Sequence, residues 1–263
     1  MNDITDAWIR PLRTKGERLR LFCFPYAGGG PHIFQKWSQW LPGHVGLHAV
    51  HLPGRGTRLQ SAPIDRLQPV VAAVVRALRP LRDMPFVFFG HSMGALLAFE
   101  TARALRFMGG CGPRLLIASA CRPPQLVEQR EKIHDLSDQA FIRKLEELGG
   151  TPAEVLQNQE LLEFLMPTLR ADFAVIDTYR YAPAEPLACP ITVVCGSGDP
   201  HASGQMMAGW SLQTSNTLSF HELPGDHFFV HTAEDELRQI IVGDLEQWAG
   251  TGISTPNGWA LAK

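Results

Sequence analysis

Cysteine is scarce in this chain, and its pattern excludes two classes of cysteine-dependent scaffold. The five cysteines are odd in number and widely spaced, and no Cys-x-x-Cys pair occurs. Disulfide frameworks and structural zinc sites need paired or closely spaced cysteines. We therefore expect free thiols in a reducing compartment, no disulfide framework and no metal.

An excess of charge of one sign is also missing. The 24 basic and 26 acidic residues leave a net charge of −2 at pH 7. A protein that binds nucleic acid or an anionic membrane carries a strongly positive surface. The composition therefore predicts neither nucleic acid nor membrane as a partner.

Long hydrophobic runs are absent as well. No segment approaches the roughly 20 apolar residues that cross a bilayer. The N-terminal stretch MNDITDAWIRPLRTKGERLR lacks the apolar core of a signal peptide, so we expect a cytoplasmic protein. With 263 residues, 45% of them hydrophobic, the chain is long enough for one large domain with a full core.

Short apolar runs rich in β-branched and aromatic residues alternate with longer amphipathic segments along most of the chain. This alternation is typical of the α/β class, in which helices cover a mostly parallel sheet. The predicted strands are 18–24, 45–52, 85–89, 114–120, 191–195 and 217–223. The predicted helices between them are about 66–81, 95–108, 203–212 and 233–248.

The stretch from about 123 to 186 interrupts this alternation, because all of its patterns are helical. A helical block inserted between two strands on the side of an active site predicts a lid, and a plain covering layer is the alternative. The last residues, 250–263, lack periodicity and are predicted to be a disordered tail. We therefore predict a single domain over 1–249 with a lid insertion at about 123–186.

The segment Gly90-His91-Ser92-Met93-Gly94 lies between a predicted strand and a predicted helix. A Gly-x-Ser-x-Gly motif in that position is typical of a nucleophile elbow. The chain there turns so sharply that a side chain at either flanking position would clash, and the serine hydroxyl is exposed at the end of the strand. Ser92 is therefore a candidate nucleophile, the alternative being a plain strand-to-helix turn.

A serine hydroxyl becomes reactive when a base removes its proton and a third group orients that base. With an elbow, the order along the chain is Ser, then Asp or Glu, then His. Asp199 follows the fifth predicted strand in a tight turn, and His227 follows the last one. These two are the candidate acid and base. Asp172 and Asp177, which we expect on a surface face of the helical block, are weaker candidates for the acid.

Stabilising the developing oxyanion requires two backbone N–H groups. Met93 supplies one because it follows the nucleophile. The second is expected from the glycine-rich segment FPYAGGG after the first predicted strand, where Ala27 is the first choice and Tyr26 the alternative. The segment lacks the lysine and the spacing of phosphate-binding loops.

Taken together, these segments make the chain resemble the type II thioesterases that accompany modular polyketide and nonribosomal peptide synthetases. The resemblance runs from about Trp8 to Trp248. The matching segments are LFCFPYAGGG, HLPGRGTRL, FGHSMGALLAFE, SACRPP, RADFAVIDTYRY, PITVVCGSGD and LPGDHFF. It implies an α/β-hydrolase fold with a mobile helical lid, and an enzyme that removes acyl groups from the phosphopantetheine arm of carrier proteins.

The resemblance also assigns roles to residues of this sequence. The triad of the family falls on Ser92, Asp199 and His227, and its oxyanion donors fall on Ala27 and Met93. It implies no cofactor, because the substrate itself carries the phosphopantetheine. The implied partners are acyl or peptidyl carrier protein domains of a synthase, and we expect a monomer.

Three other functions are alternatives. They are a carboxylesterase or lipase for small oxygen esters, a non-catalytic binding protein of the same fold, and an acyltransferase or cyclase. The last of these shares all five residues, whereas the complete Ser, Asp and His set argues against the binding protein. Arg55 and Arg58 either contact the phosphate or carboxylates of a carrier protein or are solvated loop charges. Phe164, Leu165 and Phe173 either line an acyl pocket or pack in the core.

Overall fold

The computed structural model of the chain describes residues 7–151, 153–202 and 204–250. Its centre is a seven-stranded sheet with the strand order β1-β3-β2-β4-β5-β6-β7. The strands are β1 Ile9–Arg13, β2 Leu19–Phe24, β3 Val45–Val50, β4 Phe86–His91, β5 Leu116–Ser119, β6 Ile191–Gly196 and β7 Leu218–Leu223. Strand β1 is antiparallel to β3, and all other neighbours are parallel. This topology confirms the predicted α/β-hydrolase fold.

Six of the seven strands lie where the sequence predicts them, whereas β1 was missed. Its sequence, IRPLR, buries only Ile9 fully and exposes Arg10 and Pro11. An edge strand with one buried side chain carries no run of apolar residues that a pattern search detects. Proline is compatible with such an edge because one side of the strand needs no hydrogen bonds.

The helices cover both faces of the sheet. They are α1 Leu67–Leu78, α2 Met93–Phe107, α3 Asp138–Leu148, α4 Ala153–Leu156, α5 Gln159–Asp177, α6 Gly204–Met207, α7 Phe229–Thr232 and α8 Glu234–Gly250. Short 3₁₀ helices lie at Pro31–Gln39, Gly56–Arg58, Arg79–Leu81, Pro124–Gln129 and Ala208–Gln213. The predicted helix 203–212 is therefore divided into α6 and a 3₁₀ helix, and Ser203 is outside the described residues.

The strands contribute to two hydrophobic layers because their side chains alternate between the faces. Phe22 and Phe88 point to the layer that contains α1, α2 and the helical block. Leu21 and Phe89 point to the opposite layer, which contains α8. All four side chains are fully buried. This packing fixes the carboxyl ends of β2 and β4 side by side at one edge of the sheet.

The helical block at 123–186 is confirmed as helical, with α3, α4 and α5 between β5 and β6. Helix α5 continues through Pro167, after which nearly every residue is buried. Before Pro167, only Leu162 of α5 is buried. The second half of α5 is thus a covering layer over the domain, and the role of the rest as a lid stays a prediction.

The remaining predictions concern the chain ends and the membrane. The predicted tail lies outside the described residues except for Gly250, at which α8 ends, one residue beyond the predicted domain boundary. Residues 1–6 and Pro152 are also outside them. Among the helices that the structure describes, none has both the length and the apolar composition needed to cross a membrane.

Candidate active site

Ser92 occupies the turn between β4 and α2, at the carboxyl end of the central strands. Its backbone has φ 55° and ψ −118°, a combination that non-glycine residues rarely adopt. The backbone N–H of Ser92 donates to the carbonyl oxygen of Ser119 on β5 at 2.8 Å. A strained turn tied to the neighbouring strand holds the Ser92 hydroxyl at the edge of the sheet.

The glycines on either side of Ser92 are required by close backbone approaches. A Cβ at Gly90 would lie 2.3 Å from the carbonyl oxygen of Gly94. A Cβ at Gly94 would lie 2.0 Å from the carbonyl oxygen of Phe24 on β2. The clash predicted from the sequence is confirmed at both positions.

The structure brings Ser92, His227 and Asp199 together from three distant parts of the chain. Ser92 Oγ lies 2.9 Å from His227 Nε2, and His227 Nδ1 lies 2.7 Å from Asp199 Oδ2. A carboxylate only accepts hydrogen bonds, so Nδ1 carries the proton and Nε2 is free to accept the hydroxyl proton of Ser92. This is the geometry of a serine nucleophile with a base and an orienting acid.

Asp199 is buried, with a side chain that has no solvent exposure. Burial by itself raises the pKa of the Asp199 carboxyl, but the hydrogen bond from His227 and the charge of that ring outweigh it. The backbone N–H of His201 donates to Asp199 Oδ1 at 2.8 Å and lowers the pKa further. The net lowering keeps the carboxylate ionised beside the imidazole.

Ala27 and Met93 both line the pocket in front of Ser92. Met93 is the first residue of α2, and the first N–H groups of a helix have no acceptor within it. Within the described parts of the chain, no group accepts a hydrogen bond from the N–H of Ala27 or Met93. The N–H of Tyr26 also has no acceptor among the described residues, so Ala27 and its alternative Tyr26 both remain candidates for the second oxyanion donor. The N–H of Gly28 is excluded, because it donates to Asp172.

The pocket is mostly apolar, and its arginine and histidine lining residues are Arg122, Arg130, His201 and His227. Helices α2, α3 and α5 contribute apolar side chains. The other lining residues come from the loops after β2, β5, β6 and β7, the turn after β4, the 3₁₀ helix Pro124–Gln129 and the segment after α3. Its apolar residues include Leu96, Val127, Leu145, Leu148, Leu169, Phe173, Ile176 and Phe228. Such a lining suits an aliphatic or aromatic acyl group.

The three apolar residues of the helical block differ in their positions. Phe173 lines the pocket and also packs edge-on against Phe141. Leu165 packs against the core, and Phe164 is 55% exposed. The proposal of an acyl pocket lined by this block therefore holds for Phe173 alone among the three.

The expectation of surface positions for Asp172 and Asp177 is wrong. Asp172 is 2% exposed and Asp177 is 3% exposed. Asp172 pairs with the guanidinium of Arg55, and Asp177 accepts the backbone N–H groups of Ile133 and His134. Neither carboxylate contacts His227, so Asp199 is the acid that the structure offers.

Both interpretations of Arg55 are wrong as well. Its side chain is 9% exposed and points inward to Asp172, so it is neither solvated nor available to a carrier protein. Arg58 is half-buried, donates to the carbonyl oxygen of His51 and lies over the ring of Trp8. A buried arginine in a loop rich in glycine and proline has no local signature, since its partner is 117 positions away.

His91 is a residue whose role the sequence did not disclose. It is completely buried between β5 and the loop that holds His227. In the sequence it is only the residue before the candidate nucleophile, because a local motif does not predict which distant residues a buried side chain contacts. In the part of the chain that the structure describes, no group of three or more His, Cys, Asp or Glu residues is arranged to hold a metal ion.

Comparison with known proteins agrees with this geometry. A model of the thioesterase domain family matches residues 19–248. This chain belongs to the thioesterase family. It is a serine hydrolase of the α/β-hydrolase fold, as the elbow, the sheet and the pocket indicate.

The relatives of this thioesterase come from biosynthetic systems. It is 40% identical over 228 residues to the gramicidin S biosynthesis protein GrsT of Aneurinibacillus migulanus, covering 87% of this chain and 89% of GrsT. RedJ, a thioesterase of the prodiginine pathway in Streptomyces coelicolor, superposes with a TM-score of 0.82 at 38% identity, covering 87% of this chain and 91% of RedJ. BorB, a type II thioesterase from the borrelidin cluster, gives a TM-score of 0.83 at 31% identity, covering 93% of this chain and 99% of BorB.

Proposed function

We propose that this thioesterase hydrolyses acyl groups from the phosphopantetheine arm of acyl or peptidyl carrier proteins in a polyketide or nonribosomal peptide pathway. The observation that carries the proposal is the hydrogen-bonded series Ser92, His227 and Asp199 at an apolar pocket. The biosynthetic origin of GrsT, RedJ and BorB supports a carrier-bound substrate. In this role the enzyme clears stalled or wrongly loaded synthases.

The first step is acyl transfer to the enzyme. Ser92 Oγ attacks the thioester carbonyl carbon while its proton moves to His227 Nε2. The carbonyl oxygen becomes an oxyanion that the N–H groups of Ala27 and Met93 stabilise. The carbonyl then re-forms as the carbon–sulfur bond breaks, and the proton on Nε2 passes to the leaving sulfur to give a thiol.

The second step is hydrolysis of the acyl-Ser92 ester. His227 Nε2 takes a proton from a water molecule as the water oxygen bonds to the acyl carbon. The tetrahedral intermediate collapses, Ser92 Oγ regains the proton from Nε2, and the free carboxylic acid leaves. Asp199 holds the ring in one tautomer and stabilises its positive charge during both steps.

These steps use only side chains and backbone groups of this chain together with water. We therefore propose that the reaction requires no cofactor. One copy supplies every residue of the site, which supports our expectation of a monomer. Light scattering of the purified protein tests that expectation, since a dimer would double the measured mass.

The experiment that tests the function offers the purified enzyme acyl groups on a carrier protein and the same acyl groups as small oxygen esters. We expect a higher kcat/KM for the carrier thioester. Ser92→Ala should reduce turnover by about 10⁶-fold, the scale observed for loss of a serine nucleophile. A preference for the free oxygen ester would refute the substrate class, and turnover by Ser92→Ala would refute the mechanism.

A trapping experiment separates hydrolysis from transfer to another acceptor. Mass spectrometry of quenched reactions should show the acyl group on the peptide that contains Ser92. The released product should be the free acid, with one oxygen from labelled water. A product that carries no solvent oxygen would identify an acyltransferase or cyclase instead.

A further inference from the structure

A buried ion pair joins a loop after β3 to helix α5. Arg55 Nη1 and Nη2 lie 2.6 Å from the two carboxylate oxygens of Asp172, so the contact is bidentate. The exposed fractions of the two side chains are 9% and 3%. Taking two charges out of water is costly, and the interaction offsets this cost only when the geometry is good and further hydrogen bonds are made.

Those further hydrogen bonds go to the loop that carries Ala27. Asp172 Oδ2 accepts the backbone N–H of Gly28 at 2.7 Å. Arg55 Nη1 also donates to the carbonyl oxygen of Gly29 at 3.0 Å. The two residues that follow Ala27 are therefore held by the ion pair, one through its donor and the other through its acceptor.

Helix α5 also packs directly against the same loops. Thr168 Oγ1 donates to the carbonyl oxygen of Gly54 at 2.9 Å. Gly28 has φ +79°, and a Cβ there would lie 2.8 Å from Leu169 Cδ2. Thr168, Leu169 and Asp172 share one side of α5, because residues spaced by three or four positions lie on the same helix face. This face of α5 therefore packs against both the loop that carries Arg55 and the loop that carries Ala27.

We propose that Arg55 and Asp172 are positioning residues that hold the N–H of Ala27 toward the oxyanion. This inference depends on the oxyanion role proposed above for Ala27. The direction of a backbone N–H follows the orientation of its peptide plane, which the hydrogen bonds of the adjacent peptides restrain. Donors in such a site must stay within about 0.5 Å of the productive position. The ion pair supplies that restraint from two sides.

The geometry predicts which substitutions fail. Asn at position 172 presents an amide N–H₂ to one of the Arg55 N–H groups, so a donor faces a donor. Lys at position 55 keeps the charge but cannot make the bidentate contact and the bond to Gly29 together. Both Asp172→Asn and Arg55→Lys should loosen the loop while leaving Ser92, His227 and Asp199 unaltered.

The chain offers a matched control in Glu17. Its carboxylate is also largely buried and binds Arg20 through Oε1 and His48 through Oε2. This group lies at the beginning of β2, whereas the active site lies beyond the end of that strand. Glu17→Gln therefore disturbs a buried ion pair of similar kind without contact with the oxyanion loop.

The test measures hydrolysis of a small acyl thioester of N-acetylcysteamine, so that it does not depend on recognition of a carrier protein. We expect Asp172→Asn and Arg55→Lys to lower kcat by about 10- to 100-fold, up to the effect of losing one oxyanion donor. KM should change little, because neither residue lines the acyl pocket. Glu17→Gln should lower Tm without a comparable loss of kcat.

A tetrahedral mimic gives a readout that a purely structural role would not move. An alkylboronic acid adds to Ser92 Oγ and places an oxygen where the oxyanion develops. Its inhibition constant should rise in Asp172→Asn and Arg55→Lys by the same factor by which kcat/KM falls. If either variant does not fold, the other carries the test.

Two results would overturn the inference. One is a loss of kcat that merely follows Tm and is equally large in Glu17→Gln. The other is a loss of kcat with unchanged affinity for the boronic acid. Failure of the carrier-protein proposal would appear instead as a preference of the unaltered enzyme for oxygen esters, so the two failures are distinguishable.

Discussion

His91 Nε2 donates a hydrogen bond to the backbone carbonyl oxygen of His227, with 2.9 Å between the two atoms. The other ring nitrogen, Nδ1, lies 2.9 Å from Ser119 Oγ. A neutral ring protonated on Nε2 satisfies both contacts, because Nδ1 then accepts the Ser119 hydroxyl proton. The second residue of the elbow motif thus ties the loop of the candidate base to β5, behind the nucleophile.

The first prediction concerns acid stability. Burial above all, and next the nearby charge of His227, lower the pKa of His91 well below its usual 6.5. Between that usual value and the lowered one, the unfolded chain binds a proton that the folded protein excludes. The free energy of unfolding should therefore fall as the pH falls below about 6.5, by up to about 1.4 kcal/mol per pH unit for this one group.

Urea unfolding of the unaltered protein and of His91→Gln at pH 7 and pH 5 measures this contribution. Gln retains an amide donor for the His227 carbonyl but does not titrate. The loss of stability between the two pH values should be smaller in His91→Gln. Equal losses in both proteins would show that His91 is not the group responsible.

The second prediction concerns the acid. Asp199→Asn should lower kcat by about 10⁴-fold, because an amide in place of the carboxylate favours the wrong tautomer of the imidazole. Asp226→Asn is the matched control, since Asp226 Oδ1 also accepts a backbone N–H two residues on, from Phe228 at 2.8 Å. Steady-state rates on a small thioester test the pair. Similar losses in both variants would contradict a role specific to Asp199.

The third prediction concerns the elbow glycine after Ser92. Gly94→Ala should lower the free energy of unfolding by about 3 kcal/mol or prevent soluble expression. The added Cβ would lie 2.0 Å from the backbone carbonyl oxygen of Phe24 on β2, and no change of rotamer can relieve a clash with backbone. A Cβ at Gly43 meets nothing within 4 Å, so Gly43→Ala is the control. Thermal unfolding compares the two. A normal Tm for Gly94→Ala would refute the packing argument.

The fourth prediction concerns thiol reactivity. Cys111 is exposed, whereas burial raises the pKa of Cys121 and of Cys189 to about 12 and that of Cys195 to about 11. Burial also raises the pKa of Cys23 well above its usual value. Because the thiolate is the reactive form, iodoacetamide at pH 8 should modify Cys111 first. Mass spectrometry should find one rapid adduct, and Cys111→Ser should lack it. Rapid modification of Cys121 would contradict the burial of this thiol in the wall of the pocket.

The candidate nucleophile, acid and base could be located from the sequence because each is marked by its neighbours in the chain. Ser92 lies between two glycines at a strand-to-helix junction, and Asp199 and His227 each follow an apolar run in the order that an elbow requires. The structure brings these three side chains together. Edge strand β1 was not predicted because its sequence IRPLR buries only Ile9 fully and so forms no apolar pattern.

The contacts that support the site were not predictable in the same way. Asp172 lies in an amphipathic helix where a carboxylate is most often solvated, and nothing near it in the chain marks it as buried. Arg55 has the same ambiguity within its loop. Each is explained only by the other, across a separation that no local pattern spans.

The amino-acid sequence alone determined the α/β class, the elbow and the choice of Ser92, Asp199 and His227 as the candidate triad, since periodicity and turn chemistry act over a few neighbouring residues. Only the tertiary structure decided that Arg55 and Asp172 face each other beneath the loop of Ala27 and that His91 supports His227. The physical reason is that burial and hydrogen-bond partners depend on which strands and helices meet. Arg55 and Asp172 are 117 positions apart in the chain, and His91 and His227 are 136 positions apart.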